Sequence, residues 1–270
     1  MRLGWLSVVV LACAPMADAQ ILKVPPLKTP MIAQIQTPIV AGPSFDVNGS
    51  NNTRAQGGPS GPVALQSFEL TFGNGDHKLK TVTLLRNGNV TDMKIGDNDG
   101  NDPFAGKARY LPLAAGTEVK TAVPRGVCGS HCLLDVNVPA DQVFLLTGFS
   151  MVKSDGDDSV RAIEVMPHGD QGFVEVTVDN GGWNAVNVTV QYVTVPRSRV
   201  TSQMYCDGAQ CNRPKPDQSA LALQGFSCWK RGNGSSFVVT IGATPGSNEG
   251  SKFKDNGGDG ECFSLVAGLK

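Results

Sequence analysis

An all-β fold built from three related antiparallel units and stapled by disulfides is what this sequence predicts. Three observations carry the prediction. Apolar residues alternate with a period of two, one pattern of residues recurs three times, and six cysteines follow an apolar N-terminal stretch.

Taken in order, the 270-residue chain opens with Met1 and Arg2, an apolar run from Leu3 to Ala12, and a small-residue site at Ala17, Asp18 and Ala19. That is the layout of a secretory signal over 1–19, cleaved before Gln20. Residues 20–62 are rich in Pro, Gly, Asn, Ser and Gln and show no sustained apolar period, which predicts a disordered or extended leader. No later apolar run reaches the roughly 20 residues of a transmembrane helix. The net charge of −1 comes from interspersed signs, so the clustered basic residues of a nucleic-acid partner are missing.

The repeat is set by a phenylalanine and an aspartate. Phe68 to Asp97, Phe149 to Asp179 and Phe226 to Asp255 span 29, 30 and 29 residues. Within the units Phe68, Leu70 and Phe72 alternate, as do Val82 and Leu84, Val174, Val176 and Val178, and Val186, Val188 and Val190. Such runs, bounded by Gly, Asn and Asp, read as half-buried antiparallel strands, about four per unit. The units are placed at 63–113, 146–196 and 220–270, with connectors at 114–145 and 197–219. Four strands do not close a core alone, so the units must pack on one another, as β-sandwiches in the first reading. The alternative is a pseudo-threefold barrel of the β-trefoil kind, for which spacings of 82 and 76 residues between the aspartates require large insertions.

The six cysteines after the signal suggest Cys128 with Cys132 and Cys206 with Cys211, one close pair in each connector. That leaves Cys228 with Cys262. The repeat supports this pair independently, because the aligned positions in the other units are apolar and would meet across a core. His131 beside Cys128 and Cys132 raises a soft-metal alternative, against which an oxidising compartment favours the disulfide.

Two constellations carry candidate chemistry. Asp97, Asp99, Asn101 and Asp102 surround Gly100 and offer the hard oxygens that Ca²⁺ takes. The same composition serves a tight turn, and the second unit keeps only the turn, as Asp179, Asn180, Gly181 and Gly182. In that loop Trp183, beside Asn180 and Asn184, has the make-up of a sugar site, a flat ring with amides for hydroxyls. A Trp folded over the sheet edge is the alternative. With three histidines in the chain, no Ser, His and Asp arrangement is evident.

Ala162, Ile163, Glu164, Val165, then Gly172, Phe173, then Val174 to Val178, Trp183 and Asn184, and the closing alternation Val188, Val190, Tyr192 and Val195 together resemble the H-type lectin module. The resemblance covers residues 160–196. It implies an antiparallel β-sandwich that binds galactose-type sugars and commonly trimerises. It also implies sugar-contacting aromatics at Trp183 and Tyr192.

The functional expectation is a secreted or periplasmic, non-enzymatic binding module. Glycans or surface components would be its partners, calcium its optional ion, and a homo-oligomer its possible state. The alternatives are a surface or envelope structural protein whose repeats serve assembly, and a hydrolase with a carboxylate site.

Overall fold

The computed structural model describes residues 39–50, 54–72, 80–96, 104–153, 162–168, 172–179, 186–207, 210–211, 220–229, 238–244, 252–255 and 258–270. All of them belong to one compact unit, Thr37–Lys270. The expected signal segment 1–19 lies outside the described residues.

The first lobe holds β1 (Phe45–Ser50), β2 (Arg54–Gln56), β3 (Val63–Phe72), β4 (Thr81–Asn87), β5 (Val90–Gly96) and β6 (Phe104–Pro112). The second holds β7 (Lys120–Thr121), β8 (Val123–Pro124), β9 (His131–Asp135), β10 (Gln142–Lys153), β11 (Ala162–His168), β12 (Phe173–Asp179) and β13 (Val186–Pro196). A 3₁₀ turn, Arg197–Arg199, leads into the third, with β14 (Val200–Asp207), β15 (Gln210–Cys211), β16 (Leu221–Trp229), β17 (Val238–Ala243), β18 (Lys252–Asp255), β19 (Gly258–Asp259) and β20 (Glu261–Leu269). There is no α-helix among the described residues.

The lobes share their sheets. Within each lobe the first long strand pairs antiparallel with the last, as β3 with β6, β10 with β13 and β16 with β20. The second long strand pairs outside its lobe, β4 with β10, β11 with β16 and β17 with β3. Each sheet therefore draws strands from two lobes, and the exchange closes on itself in a cycle. Three sheets of 6, 6 and 8 strands result, in the orders β1-β6-β3-β17-β18-β19, β2-β5-β4-β10-β13-β7 and β15-β14-β20-β16-β11-β12-β9-β8. Their inner faces pack on a common core, and the described strands form no closed barrel.

The three anchor phenylalanines meet at the centre. Phe68, Phe149 and Phe226, at most 1% exposed, stand with ring centroids 5.1, 5.0 and 5.0 Å apart and tilted to one another. Edge-to-face contacts of this kind add about 0.5–1.5 kcal/mol per pair to the burial of the rings. A β-bulge immediately precedes the phenylalanine in all three first strands, at Leu65/Ser67, Leu146/Gly148 and Leu223/Gly225. Just before it two consecutive residues are buried in different clusters. Leu65, Leu146 and Leu223 join the phenylalanine core, whereas Ala64, Leu145 and Ala222 join a second cluster with Leu111, Val193 and Ala267.

The bulge residues themselves are buried and polar, and they link the lobes in a ring. Thr147 Oγ1 donates to the Val63 carbonyl at 3.1 Å, Gln224 Nε2 to Phe144 at 3.2 Å, and Gln66 Nε2 to Leu221 at 2.6 Å. Each acceptor lies three residues before the bulge residue of its own lobe. Beside two of these bulges the strands approach so closely that only glycine fits. A Cβ on Gly148 would meet the Leu84 carbonyl oxygen, and one on Gly225 that of Val165.

Cys128 is bonded to Cys132 and Cys228 to Cys262, as the spacing predicts. Cys206 is disulfide-bonded too and lies opposite Cys211 in register. In register Cys262 answers to Gly106 and Val188, two residues beyond the positions aligned from sequence, because Cys228, Leu70 and Met151 face those residues. The stretches expected as leader and connectors also contribute strands. β1 lies beside β6, β7 beside β13 and β14 beside β20, while β2 and β9 flank β5 and β12.

Because the triad joins all three lobes, Phe226→Ala should lower the unfolding free energy by about 3–5 kcal/mol. Urea unfolding followed by circular dichroism measures this. A loss below about 1 kcal/mol would mean that the lobes do not depend on the shared centre.

Candidate functional site

Side chains alternate across a strand, so one face of the eight-stranded sheet is core and the other looks outward. Register places the outward residues in rows. One runs Asp207, Phe263, Ser227, Glu164, Thr177 and His131 across six strands. The next runs Tyr205, Leu265 and Gly225 on one side and Met166, Glu175 and Leu133 on the other, with Gly225 close against the Met166 backbone. On the other side of the first row Glu261 faces Trp229.

Three aromatic rings on this face form a ladder. Phe263 stacks on Tyr205 at 4.9 Å and packs against Trp229 at 4.6 Å between centroids with the rings tilted by 40°, diagonal neighbours on three adjacent strands. Trp229 and Phe263 are half-buried in this ladder. Tyr205, 37% exposed, ends the ladder on β14. Partial burial, with Asp207 and Glu261 nearby, raises the pKa of its phenol. Ser227 donates a short hydrogen bond to the Glu164 carboxylate beside the ladder.

Past Leu265, which faces Tyr205 in register, the surface dips into a cleft of about 400 Å³ at the seam of lobes 2 and 3. Gln142, Gln203, Gln224 and Arg197 supply its polar groups, and Phe144, Pro167 and Leu265 are among its apolar walls. Gln224 is 3% exposed and fixed at both ends, since its amide donates to Phe144 and its carbonyl accepts from Gln203 Nε2 at 3.4 Å.

A matching cleft of about 630 Å³ lies at the seam of lobes 1 and 2, walled by Arg86, Asn87, Asp92, Thr147 and Gln191. Its arginine is committed to the fold. The Arg86 guanidinium lies beside the stacked pair of Phe45 and Tyr110, 5.0 Å from each centroid, and donates to Thr91 Oγ1 and to the Gly57 and Pro59 carbonyls at 3.0, 2.9 and 2.8 Å. It ties the segment carrying β1 and β2 to the core.

At the far end of the outer face two of the three histidines converge on one carboxylate. Glu175 takes His131 Nε2 on Oε1 at 2.6 Å and His168 Nε2 on Oε2 at 3.3 Å. The two rings approach from opposite diagonals, His131 on β9 and His168 on β11, so the carboxylate separates them. Among the described residues no three His, Cys, Asp or Glu side chains form a metal-holding group.

Of the residues singled out in the sequence, Trp183, Asn180 and Asn184 lie outside the described residues. So do Asp97, Asp99, Asn101 and Asp102. Tyr192 departs from the expectation of a sugar contact. It is 2% exposed, stacks on Phe144 at 5.0 Å, and its hydroxyl accepts the Asn137 backbone N–H at 2.8 Å, so neither ring face nor hydroxyl is open to a ligand. The sequence reading missed Tyr205, Trp229 and Phe263. A signal existed in Gln203, Tyr205 and Asp207 alternating with Met204 and Cys206, but this stretch fell in the presumed connector. Among the described residues no helix is long and apolar enough to cross a membrane.

Comparison with protein-family models, with curated proteins and with solved structures finds no match to this chain.

The environment of Arg86 makes a pH-dependent test of the core. Full burial pushes the Tyr110 phenol well above its ordinary 10.0, outweighing the lowering effects of Thr91 and Arg86. The folded chain thus keeps a proton that the unfolded chain releases. Stability should be intact below pH 10 and fall as the pH rises beyond it. Tyr110→Phe should flatten part of that fall in urea midpoints measured from pH 8 to 11, and an unchanged slope would contradict the assignment.

Proposed function

We propose that this protein is an exported, non-catalytic carbohydrate-binding module whose ligand lies across the outer face of the eight-stranded sheet. The observation that carries the reading is the aromatic ladder Trp229, Phe263 and Tyr205, continuous with the amide-lined cleft. Sugars bind proteins through C–H faces packed on aromatic rings and through hydroxyls paired with planar amides and carboxylates. Here Asp207 and Glu261 flank the ladder and three glutamines line the cleft, so both kinds of contact stand along one track. Disulfides in a chain with an N-terminal signal pattern support an oxidising, exported location. This site differs from the one implied by the H-type lectin resemblance, since Tyr192 is buried.

A glycan-array screen of residues 20–270, with calcium and with chelator, tests the reading. Selective oligosaccharide binding is expected, weakened at least about tenfold by Tyr205→Ala or Trp229→Ala as ring contacts are lost. Absence of binding to any glycan, or binding indifferent to both substitutions, would overturn it. Loss with chelator would additionally support the Asp97 to Asp102 calcium site.

A second reading, assembly, is favoured by one observation. Val119, Val123 and Val127 are 43%, 63% and 96% exposed along the stretch that carries β8, the outermost strand of the eight-stranded sheet. Exposed apolar residues at a sheet edge invite pairing with another copy. If they do so here, the wild-type chain sediments as an oligomer and Val127→Asp shifts it towards monomer in analytical ultracentrifugation. A monomeric wild type would remove this reading.

A further inference from the structure

We propose that the cleft between lobes 2 and 3 holds a carboxylate-bearing sugar, a hexuronate residue, with its carboxylate on Arg197. The inference rests on the carbohydrate reading and names the ligand class of one end of that site.

Arg197 begins the 3₁₀ turn between β13 and β14, where its backbone N–H donates to the Asp141 carbonyl at 2.7 Å and fixes the start of its side chain. The guanidinium is exposed, and among the described residues no carboxylate or carbonyl accepts from it. Arg197 lines the cleft, and among the described residues no Asp or Glu does. An arginine fork pairs with a planar carboxylate through two parallel hydrogen bonds, a geometry that a lysine or an amide does not reproduce.

The remaining lining selects the body of the ligand. Gln203 spends one amide hydrogen on Gln224, which leaves its carbonyl oxygen and a second N–H to bond elsewhere. Gln142 brings another carboxamide to the same cleft. Side-chain amides offer a donor and an acceptor in one plane, the combination that a pair of neighbouring hydroxyls requires. Phe144, Pro167 and Leu265 give an apolar wall for the C–H face of a ring. A bare anion would use the guanidinium alone, and a neutral hexose the amides and wall alone. A hexuronate uses all three.

The pseudo-equivalent cleft between lobes 1 and 2 is an internal contrast. Its guanidinium is already bonded to Thr91, Gly57 and Pro59, and Asp92 stands on its wall, so it should repel the same acid. The two ends of the outer track also differ in sign. Arg197 marks the cleft, and Asp207 and Glu261 mark the ladder, so an acidic residue binds in one direction only.

The experiment is an ¹⁵N–¹H titration of residues 20–270 at constant ionic strength with galacturonate, its uncharged methyl ester, galactose and inorganic phosphate, followed by a neutral β-linked oligosaccharide series. Saturable shifts at Gln203, Gln224 and Leu265 are expected with galacturonate, with affinity about tenfold or more above the ester and galactose, as a charge-assisted pair provides. Arg197→Ala should erase that preference while leaving the spectrum of the fold unchanged, because the side chain is exposed. Equal affinity for acid and ester, an unchanged preference in Arg197→Ala, or phosphate competing as well as galacturonate would overturn the proposal. Shifts at Tyr205 and Trp229 with neutral oligosaccharides but none in the cleft with galacturonate would sink this inference and leave the carbohydrate reading standing. No shifts with any sugar would sink both.

Discussion

The contact among Phe68, Phe149 and Phe226 is the constraint on which the rest of the molecule depends. Each ring comes from the same point of a different lobe, and none of the three can be buried by its own lobe. A unit of four strands has a hydrophobic face and nothing to cover it. Placing the three faces around one axis covers them all at once, and handing the second strand of each lobe to its neighbour's first strand turns that packing into continuous sheets. Stability is then a property of the ring of lobes rather than of any one of them.

Closing the ring brings backbone close to backbone, and the sequence meets this in a repeated way. The bulges let consecutive residues such as Leu145 and Leu146 bury themselves in separate clusters, at the cost of an unpaired stretch of strand. Thr147, Gln224 and Gln66 then satisfy one carbonyl of the next lobe each, so that polar atoms stay bonded at the crowded seams. Gly148 and Gly225 provide the room. In the sheet that pairs β3 with β17, Ser67 stands at the matching position, and the glycine appears on the partner strand instead, as Gly242, where a Cβ would lie 2.8 Å from the Phe68 oxygen. The requirement belongs to the seam, and either strand can meet it.

These features were unequally visible in the sequence. Alternation and the recurrent phenylalanine gave away the strands and the triple repeat, because a buried strand face leaves a period of two that no loop imitates. Cys228 and Cys262 were legible as substitutes for an apolar pair. The strand exchange was not, since β4 reads the same whether it pairs with β3 or with β10. The outer strands were hidden for a different reason. Only Val47 of β1 is buried, so the stretch Phe45–Ser50 has too few apolar positions to show a period, and it reads as leader. Tyr192 misled because an aromatic residue late in a strand looks the same to sequence whether its ring caps a core or faces a ligand. Tyr205 was overlooked because it belongs to an outer strand.

Symmetry also decides where function can sit. A core that repeats three times produces seams that repeat, and residues that serve packing recur at all of them. What does not recur is free of that duty. The bulge residue is polar in every lobe, but only the seam of lobes 2 and 3, of the two clefts described, keeps an arginine without a structural partner, while Arg86 at the other is consumed in holding β1 and β2. Likewise the eight-stranded sheet adds β14 and β15 on one side and β9 and β8 on the other, and it carries the ladder of Tyr205, Phe263 and Trp229. Rings stacked on a solvent face bury less area than rings in the core, so folding by itself rewards them weakly. The places where this chain departs from its own repeat are therefore the places where stability explains least, and the ladder and the Arg197 cleft are adjoining examples on the same surface.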